Sequence, residues 1–274
     1  SLPLLASTTL FAWYQKQYKQ PLKILSTVYL FCDEFTNYLD TEIGIKALQL
    51  LSALGYDVKI IAHPESGRAA LSKGMLAYAQ KVANKNVALF SNCINDSTPL
   101  IGIEPSAILS FRDEYPRLVD RHRVEDAQKL SNNCLLIDEF LYREIQKGNI
   151  SSSSFTKAPK QLLFHGHCHQ KALTDVSASI WCLSLPENYS VQQIPSGCCG
   201  MAGSFGYESE HYSMSMQIAS LVLFPAIASA PEESCLVATG TSCRCQIKDG
   251  TKRKAYHPVE VLWEALCKSD HSDK

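Results

Sequence analysis

The order strand, helix, strand, helix, strand, helix runs twice through this chain, and the two passes can be laid on one another by residue number. Leu163-Phe164 falls on Leu30-Phe31, and in the same frame Cys198-Cys199-Gly200 falls on Glu65-Ser66-Gly67. The frame then slips by three residues, so that Ser242-Cys243 falls on Ser106-Ala107 and Asp249 on Asp113. Correspondences kept in order along the chain predict an internal duplication. The first pass reads as a strand over 27–32, a helix over 42–54 stopped by Gly55, a strand over 57–62 and a long helical stretch over 69–90. A strand over 100–103 follows, then a helix opened by Pro105 that carries Asp113 and Glu114, and helices over 124–130 and 135–147. After a Ser-rich linker at 151–154 come strands over 161–164, 189–194 and 235–239 and a last helix over 258–266. The expected fold is α/β, with two duplicated Rossmann-like halves related by a pseudo-twofold axis. Residues 1–24 read as a connecting arm, 25–150 as the first half and 151–274 as the second.

At 274 residues the chain can bury a full core. Its 26 basic and 27 acidic side chains nearly cancel, so no net field would hold nucleic acid or an anionic membrane. Eleven cysteines are an odd count without the spacing of a disulfide-stapled secreted domain, which fits a reducing compartment. No signal-peptide pattern opens the chain, and its best apolar run, 218–230, is short and interrupted by Pro225, so no transmembrane segment is expected. The expected location is the cytoplasm, with a peripheral position at the inner face of a membrane as the variant. Residue 1 is Ser, and the chain reads as a piece of something longer.

The sulfur content is not duplicated. Cys168 follows the 161–164 strand, Cys198 and Cys199 follow the 189–194 strand, and Cys243 follows the 235–239 strand. If those strands are parallel, all four sulfurs meet at one sheet edge, where open α/β sheets bind ligands. The first half offers Phe35, Glu65, Ser66 and Ala107 at the matching places. Clustered thiolates need cations, and Zn²⁺ or the irons of an iron–sulfur cluster are the usual ones. A zinc finger takes short Cys-x-x-Cys knuckles, whereas this set draws on three loops, with Cys245 as a possible fifth sulfur. Glycines flank the pair in Ser196-Gly-Cys-Cys-Gly-Met-Ala-Gly-Ser-Phe-Gly206 and let backbone amides approach. Cys32, Cys93, Cys134, Cys182, Cys235 and Cys267 sit singly on apolar segments and read as small hydrophobes.

His165, His167 and His169 alternate, so a strand continued that far would put them on one face, opposite Cys168. They could serve as ligands, as donors to sulfur, or as a base beside a nucleophilic cysteine. His257 before Pro258 reads as a helix start, and Glu104 with Ser106 as a helix cap. Arg112, Asp113 and Glu114 read as a solvated helix face. The glycines after Cys199 lack the start and the acidic partner of a dinucleotide loop. No catalytic acid–base pair is legible. Three function classes stand open: an electron-transfer module, a zinc-stabilised interaction module, and a cysteine hydrolase or transferase, to which a thiol pair adds nothing.

The runs Phe164-His-Gly-His-Cys-His-Gln-Lys-Ala-Leu173, Ser196 through Glu208, and His257-Pro-Val-Glu-Val-Leu262 resemble the cysteine-rich CCG-domain family, and the likeness covers both halves. It is similar in particular to the C-terminal CCG repeats of FAD-linked 2-hydroxy-acid dehydrogenases and of glycolate oxidase iron–sulfur subunits. The resemblance implies an iron–sulfur cluster, of the [4Fe–4S] kind, or in some members zinc, on Cys168, Cys198, Cys199 and Cys243. The family's closing Cys-x-x-Cys is incomplete here, with Gly240 before Cys243 and Gln246 after it, so a fifth sulfur would have to be Cys245. The first half, lacking the cysteines, would hold no cluster. The resemblance further implies upstream FAD-binding and ferredoxin-like modules as partners and an electron-transfer role. The 2-hydroxy acid (glycolate, lactate or 2-hydroxyglutarate type) and the final acceptor are not legible in this stretch.

Overall fold

A computed structural model describes residues 3–267. Two four-stranded parallel sheets organise it. The first has the order β2-β1-β3-β4, from β1 (Ser26–Leu30), β2 (Tyr56–Lys59), β3 (Leu100–Gly102) and β4 (Cys134–Leu136). The second repeats that order as β6-β5-β7-β8, from β5 (Lys160–His165), β6 (Tyr189–Gln193), β7 (Cys235–Ala238) and β8 (Ala255–Tyr256). Most of these strands are apolar on both sides because both sheet faces are covered by helices, as parallel sheets require. In β1, Val28 and Leu30 face one hydrophobic cluster while Tyr29 and the following Phe31 face another.

The cluster behind Val28 and Leu30 does not stop at the first sheet. It takes in Leu48 and Leu51 of the Thr41–Ala53 helix and Phe140 and Leu141 of the Ile137–Gln146 helix. It also takes in Cys182 of the Ser177–Leu183 helix and Val259 and Leu262 of the Pro258–Ala265 helix, which belong with the second sheet. The two sheets thus share a double layer of helices. Polar bonds cross the same seam: Ser179 Oγ donates to Asp138 Oδ2 at 2.5 Å, Thr174 Oγ1 to Glu139 Oε1 at 2.6 Å, and Lys46 Nζ pairs with Glu260 at 3.3 Å.

Asp138 is buried there, and burial pushes its carboxyl up to about 6, against the Ser179 bond that favours the ionised form. The folded pKa lies above the unfolded one, so the contribution of its protonation to stability is complete below pH ~4 and is lost as pH rises through ~6, about 3 kcal/mol in all. Asp138→Asn should therefore gain stability relative to the parent chain between pH 4 and 7. Urea unfolding along that pH range measures it, and parallel pH profiles would disprove the assignment.

The structure departs from the sequence reading at several places. Leu135 and Leu136, expected to open a helix, belong with Cys134 to strand β4; the chain turns helical only at Ile137, where Glu139 Oε2 accepts from the Leu136 N–H at 2.8 Å. The helical stretch over 69–90 is two helices, Arg68–Ser72 and Leu76–Phe90, separated at Gly74, whose φ of +70° no helix contains. The arm over 1–24, of which residues 1 and 2 lie outside the described residues, holds a helix, Leu10–Gln17, with Thr9 as its cap and Leu10 fully buried in the shared core. The second region, read as 151–274, extends into residues 268–274, which also lie outside the described residues. The 218–230 run breaks at Val222 rather than at Pro225, and its two helices are bent by 54°. Among the described residues no single helix is long and apolar enough to cross a membrane.

Candidate metal centre

In each sheet the connections leave the two central strands in opposite directions, which opens a crevice between their carboxyl ends. In the second sheet those strands are β5 and β7, and they feed directly into the helices Cys168–Leu173 and Thr241–Thr251. Cys168 and Cys243 are set by this topology, and the loop after β6 brings Cys198 and Cys199 to the same edge. The sulfurs lie in a row in which Cys168 neighbours Cys198, Cys198 neighbours Cys199, and Cys199 neighbours Cys243. Cys199 and Cys243 are buried, Cys198 is half-buried and Cys168 is exposed.

The neighbouring sulfurs of Cys168 and Cys199 push Cys198 down, helped by the Gly200 and Ala202 N–H groups, and Cys199 pushes Cys243 down, helped by His165. Cys168 and Cys199 are pushed up by their sulfur neighbours and by burial. The Gly200 N–H donates to Cys198 Sγ at 3.2 Å. Gly200 has φ +96°, and a Cβ there would lie 2.1 Å from the Ser215 carbonyl oxygen, so only glycine permits this turn. Lys171 Nζ donates to the Ser196 and Gly197 carbonyls at 2.6 and 2.7 Å and fastens the cysteine-pair loop to the Cys168 helix.

The histidines do not share a face. The strand ends at His165, and the helix that starts at Cys168 changes the period, so the three rings separate. His165 is buried, takes or gives a bond at Nδ1 with Ser196 Oγ (2.7 Å), and stands with Cys199 and Cys243 so that one ligand atom from each lies within 4.8 Å of the others. Its Nε2 is buried without a hydrogen-bond partner. His167 caps the Cys168 helix, and His169 points toward Asp113 and Glu114. Four thiols and one unsatisfied imidazole nitrogen form a donor set suited to iron or zinc.

Cys245 turns away to Tyr207 and is not part of the sulfur row. Of the six cysteines read as small hydrophobes, Cys32, Cys134 and Cys182 are buried and Cys93 and Cys235 partly so, but Cys267, beyond the last helix, is exposed. His257 caps the Pro258 helix as expected. Arg112, Asp113 and Glu114 are not a solvated face: Arg112 binds the Cys134 carbonyl and forks onto Glu139, and Glu114 pairs with Arg68.

Glu104 caps its helix through Ser106, as read, yet does more. Its Oε2 accepts from the Thr241 N–H at 2.8 Å and its Oε1 lies 4.0 Å from His167 Nε2, so a first-sheet carboxylate anchors a loop of the sulfur site. Burial alone would raise its pKa, but His167, the Thr241 N–H and Arg244 outweigh that and hold the carboxyl below the usual range. Between the two sheet edges lies a cavity of ≈ 620 Å³, with Phe35, Leu39 and Arg68 on one wall and His167, Cys168 and Cys199 on the other.

No family model matches the chain. It is 28% identical over 241 residues to a D-2-hydroxyglutarate dehydrogenase of Escherichia coli (strain K12), covering 88% of this chain and 23% of that protein. A D-2-hydroxyglutarate dehydrogenase of Haemophilus influenzae is 27% identical over 266 residues, covering 92% and 25%. A subunit of the anaerobic glycerol-3-phosphate dehydrogenase of Escherichia coli (strain K12) is 25% identical over 269 residues, covering 97% and 66%. The chain spans about a quarter of the length of the D-2-hydroxyglutarate dehydrogenases it matches. Over most of its length, then, the chain is similar to a segment of dehydrogenases of two kinds.

Proposed function

We propose that this chain is the electron-transfer region of an FAD-linked oxidoreductase acting on a 2-hydroxy acid, with an iron–sulfur cluster on Cys168, Cys198, Cys199 and Cys243. The observation that carries this reading is the row of four thiols, gathered from three loops beside a buried imidazole nitrogen without a partner. Similarity to dehydrogenases supports the redox side of it. A cluster held there would pass one electron at a time.

The chain's own groups suit that task. The Gly200 N–H bonds to Cys198 Sγ, and the N–H groups of His169, Met201 and Ala202 lie close to the sulfurs; together they would stabilise the added negative charge. Buried Cys199 and Cys243 would keep water from the inner side of the site, while exposed Cys168 lies on the cavity wall where electrons can enter or leave. In this reading residues 25–150 and 151–274 are duplicated halves, the first without its sulfurs, and their equal strand order supports the duplication. FAD and ferredoxin-like centres would sit upstream, and the protein would work in the cytoplasm or at the inner face of a membrane.

The competing reading is a structural zinc site, for which the same donors serve. Anaerobic isolation followed by iron, acid-labile sulfide and zinc analysis decides between them. Iron and sulfide together, lost in a Cys198→Ser variant, are expected. Stoichiometric zinc that persists through anaerobic reconstitution with iron and sulfide would make the site structural.

A further inference from the structure

We propose that residues 202–205 form a strap that gates the cavity between the two sheet regions, closed while it rests on Ser72 and Lys73 and open when it swings away from them. The strap follows closely on Cys198 and Cys199, and both its ends are fixed. At one end Met201 is buried and Gly200 lies against the Ser215 carbonyl. At the other, the Gly206 N–H donates to the Met201 carbonyl at 2.9 Å, and Gly206 packs so tightly on Ser215 Oγ that a Cβ there would clash. The tip between these anchors differs: Ala202 and Gly203 are exposed, and both have left-handed backbone, with φ of +41° and +70°.

From its anchors the tip reaches across to the first-sheet wall. A Cβ on Gly203 would lie 3.1 Å from Ser72 Oγ, and Glu208, just past the strap, pairs with Lys73. These contacts bridge the two sheet regions at the cavity, because Ser72, Lys73, Ala202, Gly203, Ser204 and Tyr207 all line it. The bridge is weak. The side chains of Lys73 and Glu208 are 53% and 28% exposed, where water and salt leave an ion pair little strength. Glu208 also keeps partners without Lys73: Ser204 Oγ donates to its Oε1 at 3.3 Å and His211 Nδ1 meets its Oε2 at 2.9 Å, both from its own side of the cavity. A segment fixed at its ends and weakly held at its tip populates an open form to about 0.1–10%. Cys199 is buried and yet lies on the wall of the same cavity, so opening decides how fast a small molecule reaches the inner sulfurs. This holds whatever metal the sulfurs carry.

The test is alkylation of Cys199 by iodoacetamide, a small uncharged reagent, with the modified positions read by mass spectrometry. Cys168→Ser and Cys198→Ser remove the more accessible thiols of the row, and a chelator keeps Cys199 free, so its rate reports access through the cavity. In that background Lys73→Glu sets like charges facing each other while Ser204 and His211 still hold Glu208, and it should speed Cys199 at least about 5-fold. The added negative charge by itself disfavours the thiolate and slows the reaction, so a rise in rate reports opening. Exchanging the pair, Lys73→Glu with Glu208→Lys, should bring the rate back to within about twofold of the background. Cys134 and Cys182, fully buried and outside the cavity lining, report loosening of the whole fold and should not change. An unchanged Cys199 rate in Lys73→Glu, a rise shared by Cys134 and Cys182, or failure of the exchanged pair to restore the rate would each overturn the proposal.

Discussion

If the chain is the electron-transfer region proposed above, serine at both Cys198 and Cys199 in the flavin enzyme is expected to leave flavin reduction by the hydroxy acid within about twofold of normal while onward transfer falls at least about 100-fold. The two positions join the ends of the row, since Cys198 neighbours Cys168 and Cys199 neighbours Cys243. Serine keeps the shape of both side chains, but its hydroxyl stays protonated near neutrality and is a poor ligand for iron. The neighbouring groups that push the Cys198 and Cys243 thiols down could not ionise an alcohol. Stopped-flow absorbance of the flavin and steady-state acceptor turnover read the two steps separately. Full acceptor turnover in a variant shown to lack iron would mean that the sulfurs serve structure only.

The largest loss of stability is expected at Arg244. Its side chain, 10% exposed, donates to Asp40 Oδ2 at 2.5 Å and to the Ala238 and Thr239 carbonyls at 3.1 and 2.7 Å. Asp40 also accepts from Thr241 Oγ1, so one first-sheet carboxylate and one second-sheet guanidinium tie the base of the cleft. Arg244→Ala leaves the partly exposed Asp40 carboxylate with Thr241 Oγ1 as its remaining donor and strips two strand-end carbonyls of theirs, a change that costs about 3 kcal/mol. For a chain of this size that corresponds to a fall in Tm of roughly 10 °C. Lysine should not rescue it, because an ammonium lacks the planar fork that reaches Asp40 and the carbonyls together. Thermal unfolding of Arg244→Ala and Arg244→Lys checks both statements; a loss below about 1 kcal/mol in Arg244→Ala would show that the pairing is dispensable.

The sulfur row was legible in the sequence because parallel strands deliver their following residues to one edge, whatever the loops do in detail. Cys168, Cys198, Cys199 and Cys243 come together for that reason. The histidines were misplaced because the alternation of His165, His167 and His169 continues across a strand end, where the period changes. β4 was hidden in a similar way: Leu135 and Leu136 run without a break into the apolar face of the Ile137 helix. Glu104 as an anchor of Thr241, and Asp113 and Glu114 beside His169, were not legible at all. Those contacts depend on how one sheet region sits against the other, and no pattern within either region encodes it.

The shared helix layer has a consequence for what counts as the folding unit. Leu48, Leu51, Phe140, Val259 and Leu262 lie in one hydrophobic cluster although the chain reaches them from two separate sheets. Water is excluded from that cluster only when both contributors are present. The peptide between them, with its exposed Ser151 and Ser153, adds little packing of its own before Phe155 enters the cluster. A nick at those serines would therefore leave a tight noncovalent dimer of unlike pieces, whereas synthesis of either piece alone would yield a polypeptide with an open greasy flank and a tendency to aggregate.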